Sequence, residues 1–166
     1  MCNVWSQERI YLKTAAGRNR LNVLGAVDAV TKEVLAIDNT TYITAGTVEV
    51  FLQKIRDTAP DIPIAVVMDN ARYQHCKAVM DKAGELGIDL LFLPPYSPNL
   101  NIIERLWKFI KKSVLYGRYY DKPEKFHQAI KEFLREINRK HQSELNSLLT
   151  LNFQITDSKN AHFDTA

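Results

Sequence analysis

Residues 90–112, LLFLPPYSPNLNIIERLWKFIKK, set an apolar strand, three prolines and an amphipathic helix in direct succession. The run 90–93 is too short for a helix and is cut off by Pro94, Pro95 and Pro98, so it reads as a buried strand. The prolines fix φ and lack backbone donors, which holds the connection extended and stiff. The segment 99–101 offers side-chain acceptors for the free N–H groups of a helix start, with Asn101 the expected N-cap. From residue 102 to about residue 115, Ile103, Leu106, Trp107, Ile110 and Val114 recur at helical spacing and form an apolar stripe for the core. Glu104, Lys108, Lys111 and Lys112 fall on the other side. The stretch therefore presents a carboxylate at the first turn of a helix, beside a proline-braced loop, with cations farther along. That is a place to hold a metal ion next to a phosphate backbone.

The rest of the chain supplies a sheet for this stretch to join. Short strands are expected at 10–12, 21–30 and 33–38, with a turn over 28–32. No helical insertion separates them, so they form an antiparallel meander. Thr44 caps a helix with Val48, Phe51, Leu52 and Ile55 on one face, ending near Pro60. Residues 62–68 are nearly all apolar, as expected of a strand covered on both faces. A helix over 75–86 stops near Gly87, and the strand 90–93 follows. Two helices, 123–140 and 143–149, end the ordered part, and residues 157–166 read as a flexible tail. The expectation is one α/β domain over residues 1–156, with a mixed sheet of meander and parallel strands flanked by helices.

Two acidic motifs carry the chemistry. Asp69 ends the strand 62–68 in the run Val66-Val67-Met68-Asp69-Asn70-Ala71, and Glu104 opens the helix after the last strand. Taken singly, Asp69 is an ordinary strand-ending turn residue, and Glu104 an ordinary first-turn acid favoured by the helix dipole. Their occurrence together, with 34 residues between them, changes the reading. The pair, with the run LPPYSPNLNIIERLWKFIKK, resembles the DDE transposases of the bacterial insertion-sequence branch of the mariner superfamily. The segments 17–26 and 148–153 also resemble this branch, so the similarity spans about residues 4–155.

The resemblance implies a ribonuclease-H-like fold and metal-dependent DNA cleavage and strand transfer in transposition. It implies that Asp69 and Glu104 are the second and third acidic ligands for Mg²⁺ or Mn²⁺, with no small-molecule cofactor. It also implies DNA as partner, both element ends and target, and a homodimer. Two divalent ions about 3.5–4 Å apart activate the nucleophile and stabilise the leaving oxyanion in such enzymes, and carboxylates are their natural ligands. Lys108, Lys111 and Lys112 stand on the face of Glu104, where DNA contact and a merely solvated face are both open. Arg118, Tyr119 and Tyr120 interleave charge with aromatics, which suits either nucleic acid or a packed turn.

One part of the family pattern has no match. Its first Asp lies at the end of a central strand ahead of the segment matched by Val4 and Trp5, so the sequence is expected to lack that strand and that acid. Asp28 and Asp38 are the substitutes to consider, yet each stands where a strand turns, and a turn residue is the plain expectation. The expectation is therefore a catalytic domain short of one ligand and inactive as it stands. The alternatives are a non-enzymatic DNA-binding or dimerisation remnant, and another nuclease of the same fold.

Composition adds exclusions. A net charge of +3 does not by itself single out nucleic acid. Cys2 and Cys76 form no paired metal motif and fit a reducing compartment. No apolar run approaches a membrane span and no signal peptide is evident, so a cytoplasmic, nucleoid-associated protein is expected.

Overall fold

The structure is a computed structural model, and it describes residues 20–69, 71–94 and 100–152. The expected strand at 10–12, the tail 157–166, Cys2 and the residues ahead of the meander lie outside the described residues. Two strands, β1 (Asn22–Val27) and β2 (Val34–Asn39), pair antiparallel, from Asn22 opposite Asn39 to Val27 opposite Val34. Asp28 makes the turn between them. Its Oδ1 accepts from the N–H groups of Val30 and Thr31, both at 2.7 Å, and Lys32 takes a φ of 62°.

Helix α1 (Ala45–Thr58) begins in a capping box in which Thr44 and Thr47 satisfy each other's backbone N–H groups. Its Val48, Phe51 and Leu52 are buried as their spacing requires. The strand β3 (Ile64–Met68) leads through a loop to α2 (Lys77–Glu85), and β4 (Ile88–Phe92) returns parallel to β3. Gly87, at φ 62°, makes the turn from α2 into β4. The guanidinium of Arg56 binds the carbonyls of Leu86 and Gly87 at 2.8 and 2.7 Å, and that of Ile62 at 2.8 Å, fixing the end of α1 to both strand entries. Three helices follow: α3 (Ile103–Val114), α4 (Pro123–Lys140) and α5 (Gln142–Leu148).

Two hydrophobic cores result. One gathers Val48, Leu52, Val79, Ala83 and Ile88, with Ile64, Val66, Met68 and Leu90 packed against it. The other gathers Leu106, Ile110, Val114, Ile130, Ile137, Leu145 and Leu149 from α3–α5 and the segment after them, over Val34 of β2. The strand β1 serves both: Leu24 packs into the first core, while Val23 and Val27 pack against the second. This is the period-two alternation of a strand between two helical layers. At the outer edge of β2, Asn138 of α4 accepts from Val34 N–H at 2.8 Å and donates to Val34 carbonyl at 2.9 Å, so one amide covers part of an open edge.

Several expectations are corrected. The apolar run 62–68 is not covered on both faces. Ile64, Val66 and Met68 point into the first core, but Val67 is 51% exposed and Leu91, its partner in register, 54%. The cause is that α3–α5 pack on β1–β2, not on the second face of β3–β4. The last strand begins two residues earlier than its apolar run, because Asp89 takes the exposed side of β4. Ile102, not Asn101, is the residue flanking α3, yet Asn101 Oδ1 accepts from Ile103 N–H at 3.3 Å and so supplies the expected cap. The two sheets hold two strands each, and among the described residues no strand joins them.

Candidate metal centre and nucleic-acid face

Asp69 leaves the carboxyl end of β3. Leu93 N–H donates to the carbonyl of Met68 at 2.9 Å, so β3 and the chain leaving β4 end at the same edge of their sheet. That pairing is the condition for Glu104, reached from β4 through the proline loop, to come to the edge that carries Asp69. Residues 95–99 of that loop lie outside the described residues. Glu104 stands on the first turn of α3, which belongs to the other core. The two acids thus come from different packing units, and their approach depends on how α3 is seated.

That seat is well defined. The apolar stripe of α3 buries Leu106, Ile110 and Val114, and Trp107 lies against Gly25 of β1. Next to Glu104, the guanidinium of Arg105 donates to the carbonyls of Thr150 and Asn152 at 2.7 and 2.8 Å, which ties the start of α3 to the segment after α5. Glu104 itself is exposed, as are Lys108, Lys111 and Lys112.

The carboxylate of Asp69 is held by neutral donors. Its Oδ1 accepts from Ala71 N–H at 3.0 Å. With its amide nitrogen turned toward Asp69, Gln74 donates to the same Oδ1 at 2.7 Å and to the Asp69 carbonyl at 3.0 Å. Burial pushes the Tyr73 phenol above its ordinary value, and the negative charge of Asp69 adds to that rise. Nothing in the sequence marks Gln74: it is one polar residue in a polar loop, without period or motif.

Metal fit can be judged from the donor set. Asp69 and Glu104 offer hard anionic oxygens, and among the described residues neither forms an ion pair with Lys or Arg. Both are therefore open to a divalent cation in donor type and charge. Among the described residues, however, no three Asp, Glu, His or Cys side chains gather into one group. The two substitute acids are engaged elsewhere. Asp28 serves its turn, where the Thr31 N–H foremost, with that of Val30, holds its carboxyl below the usual carboxylate value. Asp38 pairs with Lys131 of α4 at 2.8 Å.

The cations divide in the same way. Lys125, Lys131, Arg139 and Lys140 of α4 all bind acids. Lys108, Lys111, Lys112 and Arg118 are exposed and form no ion pair among the described residues. Of the aromatic stretch beyond α3, Tyr120 packs on the core and its hydroxyl donates to Val114 carbonyl at 2.7 Å, so it is a packed corner. Tyr119 stays exposed beside Arg118.

Comparison with solved structures supports the fold. The chain is similar to the catalytic domain of Mos1 mariner transposase, with a TM-score of 0.61 at 14% identity, over 84% of this chain and 71% of that one. It is also similar to a chain of the simian T-cell lymphotropic virus intasome solved with PP2A regulatory subunit B56 gamma, with a TM-score of 0.57 at 16% identity, over 92% of this chain and 63% of that one. At these identities the likeness is one of fold, here the ribonuclease-H-like mixed α/β arrangement. No curated protein matches the sequence. A family model described as DDE superfamily endonuclease matches residues 6–127, more than half of the 166 residues, and the chain belongs to that family.

Proposed function

We propose that this chain is the catalytic domain of a DDE transposase of the bacterial insertion-sequence type, acting on DNA with Mg²⁺ or Mn²⁺. Asp69 and Glu104 are the two acids that hold the metal. Divalent ions in such a site polarise the scissile phosphate, activate the attacking oxygen and stabilise the departing one. The chain's own part is to keep Asp69 fixed on a strand end, to present Glu104 from a helix braced by Arg105, and to seat the phosphate backbone. Lys108, Lys111, Lys112 and Arg118 provide that seat as exposed cations that form no ion pair among the described residues. They contact phosphate, not base edges, so binding is sequence-independent and salt-sensitive. DNA with its element ends and target is the partner, and a homodimer is the working form.

The observation that carries this reading is the Asp69 carboxylate at the carboxyl end of β3, held by neutral donors and in no ion pair among the described residues, in a chain of the DDE superfamily endonuclease family. A third acid is required for two metal ions, and Asp28 and Asp38 are occupied. Among the described residues no third acid gathers with Asp69 and Glu104, so the expectation is binding of metal and DNA without cutting. That same observation favours a second reading, a DNA-binding remnant with no catalytic role. Supercoiled plasmid incubated with the protein and Mn²⁺ separates the possibilities. The expected result is binding without nicking, with Mn²⁺ affinity dependent on Asp69. Binding to DNA with no Asp69-dependent metal site would favour the remnant. Nicking that is lost in Asp28→Asn would make Asp28 the first acid.

A further inference from the structure

The loop between β3 and α2 folds back on Asp69. Ala71 carbonyl accepts from the N–H groups of both Gln74 and His75, at 2.8 and 3.0 Å, which closes one tight turn. That turn carries the Gln74 side chain under the end of β3. Gln74 is 8% exposed, the one buried polar side chain among the described residues. A buried amide needs partners, and this one finds them on a single residue, the Oδ1 and main-chain carbonyl of Asp69.

The geometry points to Gln74 as a positioning residue that locks the Asp69 carboxylate, with Oδ1 turned to the protein and Oδ2 left for a divalent cation. This rests on the reading of Asp69 as a metal ligand. The choice of side chain matters. A Lys or Arg at this place would neutralise Asp69 and compete with the incoming ion, whereas an amide donates without charge. Together, Ala71 N–H and Gln74 restrict the rotation of the carboxylate and leave its full negative charge in place. Groups that orient metal-binding side chains act in this way, and their loss typically weakens metal affinity about 10- to 100-fold.

The test measures Mn²⁺ affinity by electron paramagnetic resonance on the full chain, for wild type, Gln74→Met, Gln74→Leu and Asp69→Asn. Melting in EDTA is recorded alongside, because Met fills the Gln volume without its amide. The expected result is a Gln74→Met protein that melts within a few degrees of wild type yet binds Mn²⁺ about 10- to 100-fold more weakly. Gln74→Leu weakens binding to a similar degree, and Asp69→Asn removes the site. Wild-type affinity in folded Gln74→Met overturns the assignment. Should Gln74→Met fail to fold, Gln74→Leu, which also lacks the amide, decides in its place, and unchanged affinity there overturns it equally. If wild type and Asp69→Asn bind Mn²⁺ alike, Asp69 is not a ligand, and both this inference and the reading beneath it fall.

Discussion

Trp107 occupies the space that a side chain on Gly25 would need: a Cβ at Gly25 would stand 2.8 Å from the Trp107 ring. This close approach of strand β1 to helix α3 seats the helix that carries Glu104. The ring tip is part of a rigid indole and cannot step aside without moving α3. Gly25→Ala should therefore destabilise the fold by about 1–3 kcal/mol, the usual cost of overpacking. Chemical denaturation checks this. An unchanged midpoint would mean that α3 is free to shift.

The turn at Asp28 predicts a response to pH. Its carboxyl is held below the ordinary carboxylate value, chiefly because Thr31 N–H binds the charged form. A depressed carboxylate stabilises the fold above its unfolded pKa, and that contribution is lost as pH falls through the lower folded value. Asp28→Ala should cost about 1 kcal/mol at neutral pH, since its hydrogen bonds are exposed, and should flatten the acid limb of the stability curve. Asp28→Asn should leave Mn²⁺ binding unaltered, because the residue serves the turn. Loss of Mn²⁺ binding in that variant would return Asp28 to the metal site.

The exposed cations of α3 predict a salt dependence. Each phosphate neutralised contributes about 0.9 to the slope of log K against log salt on B-form DNA. Replacing Lys108, Lys111 and Lys112 together by Gln should reduce that slope by about 2–3, equally for any duplex sequence. Fluorescence anisotropy at several salt concentrations reads it. A loss confined to one sequence would show base recognition by these lysines.

The helices were legible because period is a strong signal. The stripe from Ile103 to Val114 determined which face of α3 is buried, and the bounds of α4 match the pattern at both ends. The strand β3 was less legible. An apolar run reads alike whether one face or both are covered, and Val67 lies on the uncovered one. That outcome depends on where α3–α5 pack, which no local pattern records. Asp69 and Glu104 were visible as candidates through paired motifs, whereas Gln74 was not, since its role arises only from a loop that folds back. Tyr120 likewise gave no sign that its hydroxyl would bond Val114 carbonyl.

The claim that Asp69 and Glu104 share a metal is tested most directly by a double-mutant cycle on the Mn²⁺-induced shift in Tm. At Mn²⁺ a hundredfold above its Kd, linkage stabilises the fold by about 2.7 kcal/mol. For a domain of this size that corresponds to roughly 5–10 °C. Asp69→Asn and Glu104→Gln should each abolish the shift relative to EDTA, and the double variant should lose nothing further, because both side chains hold the same ion. A full shift retained in Asp69→Asn, or two partial losses that simply add, would contradict a shared site.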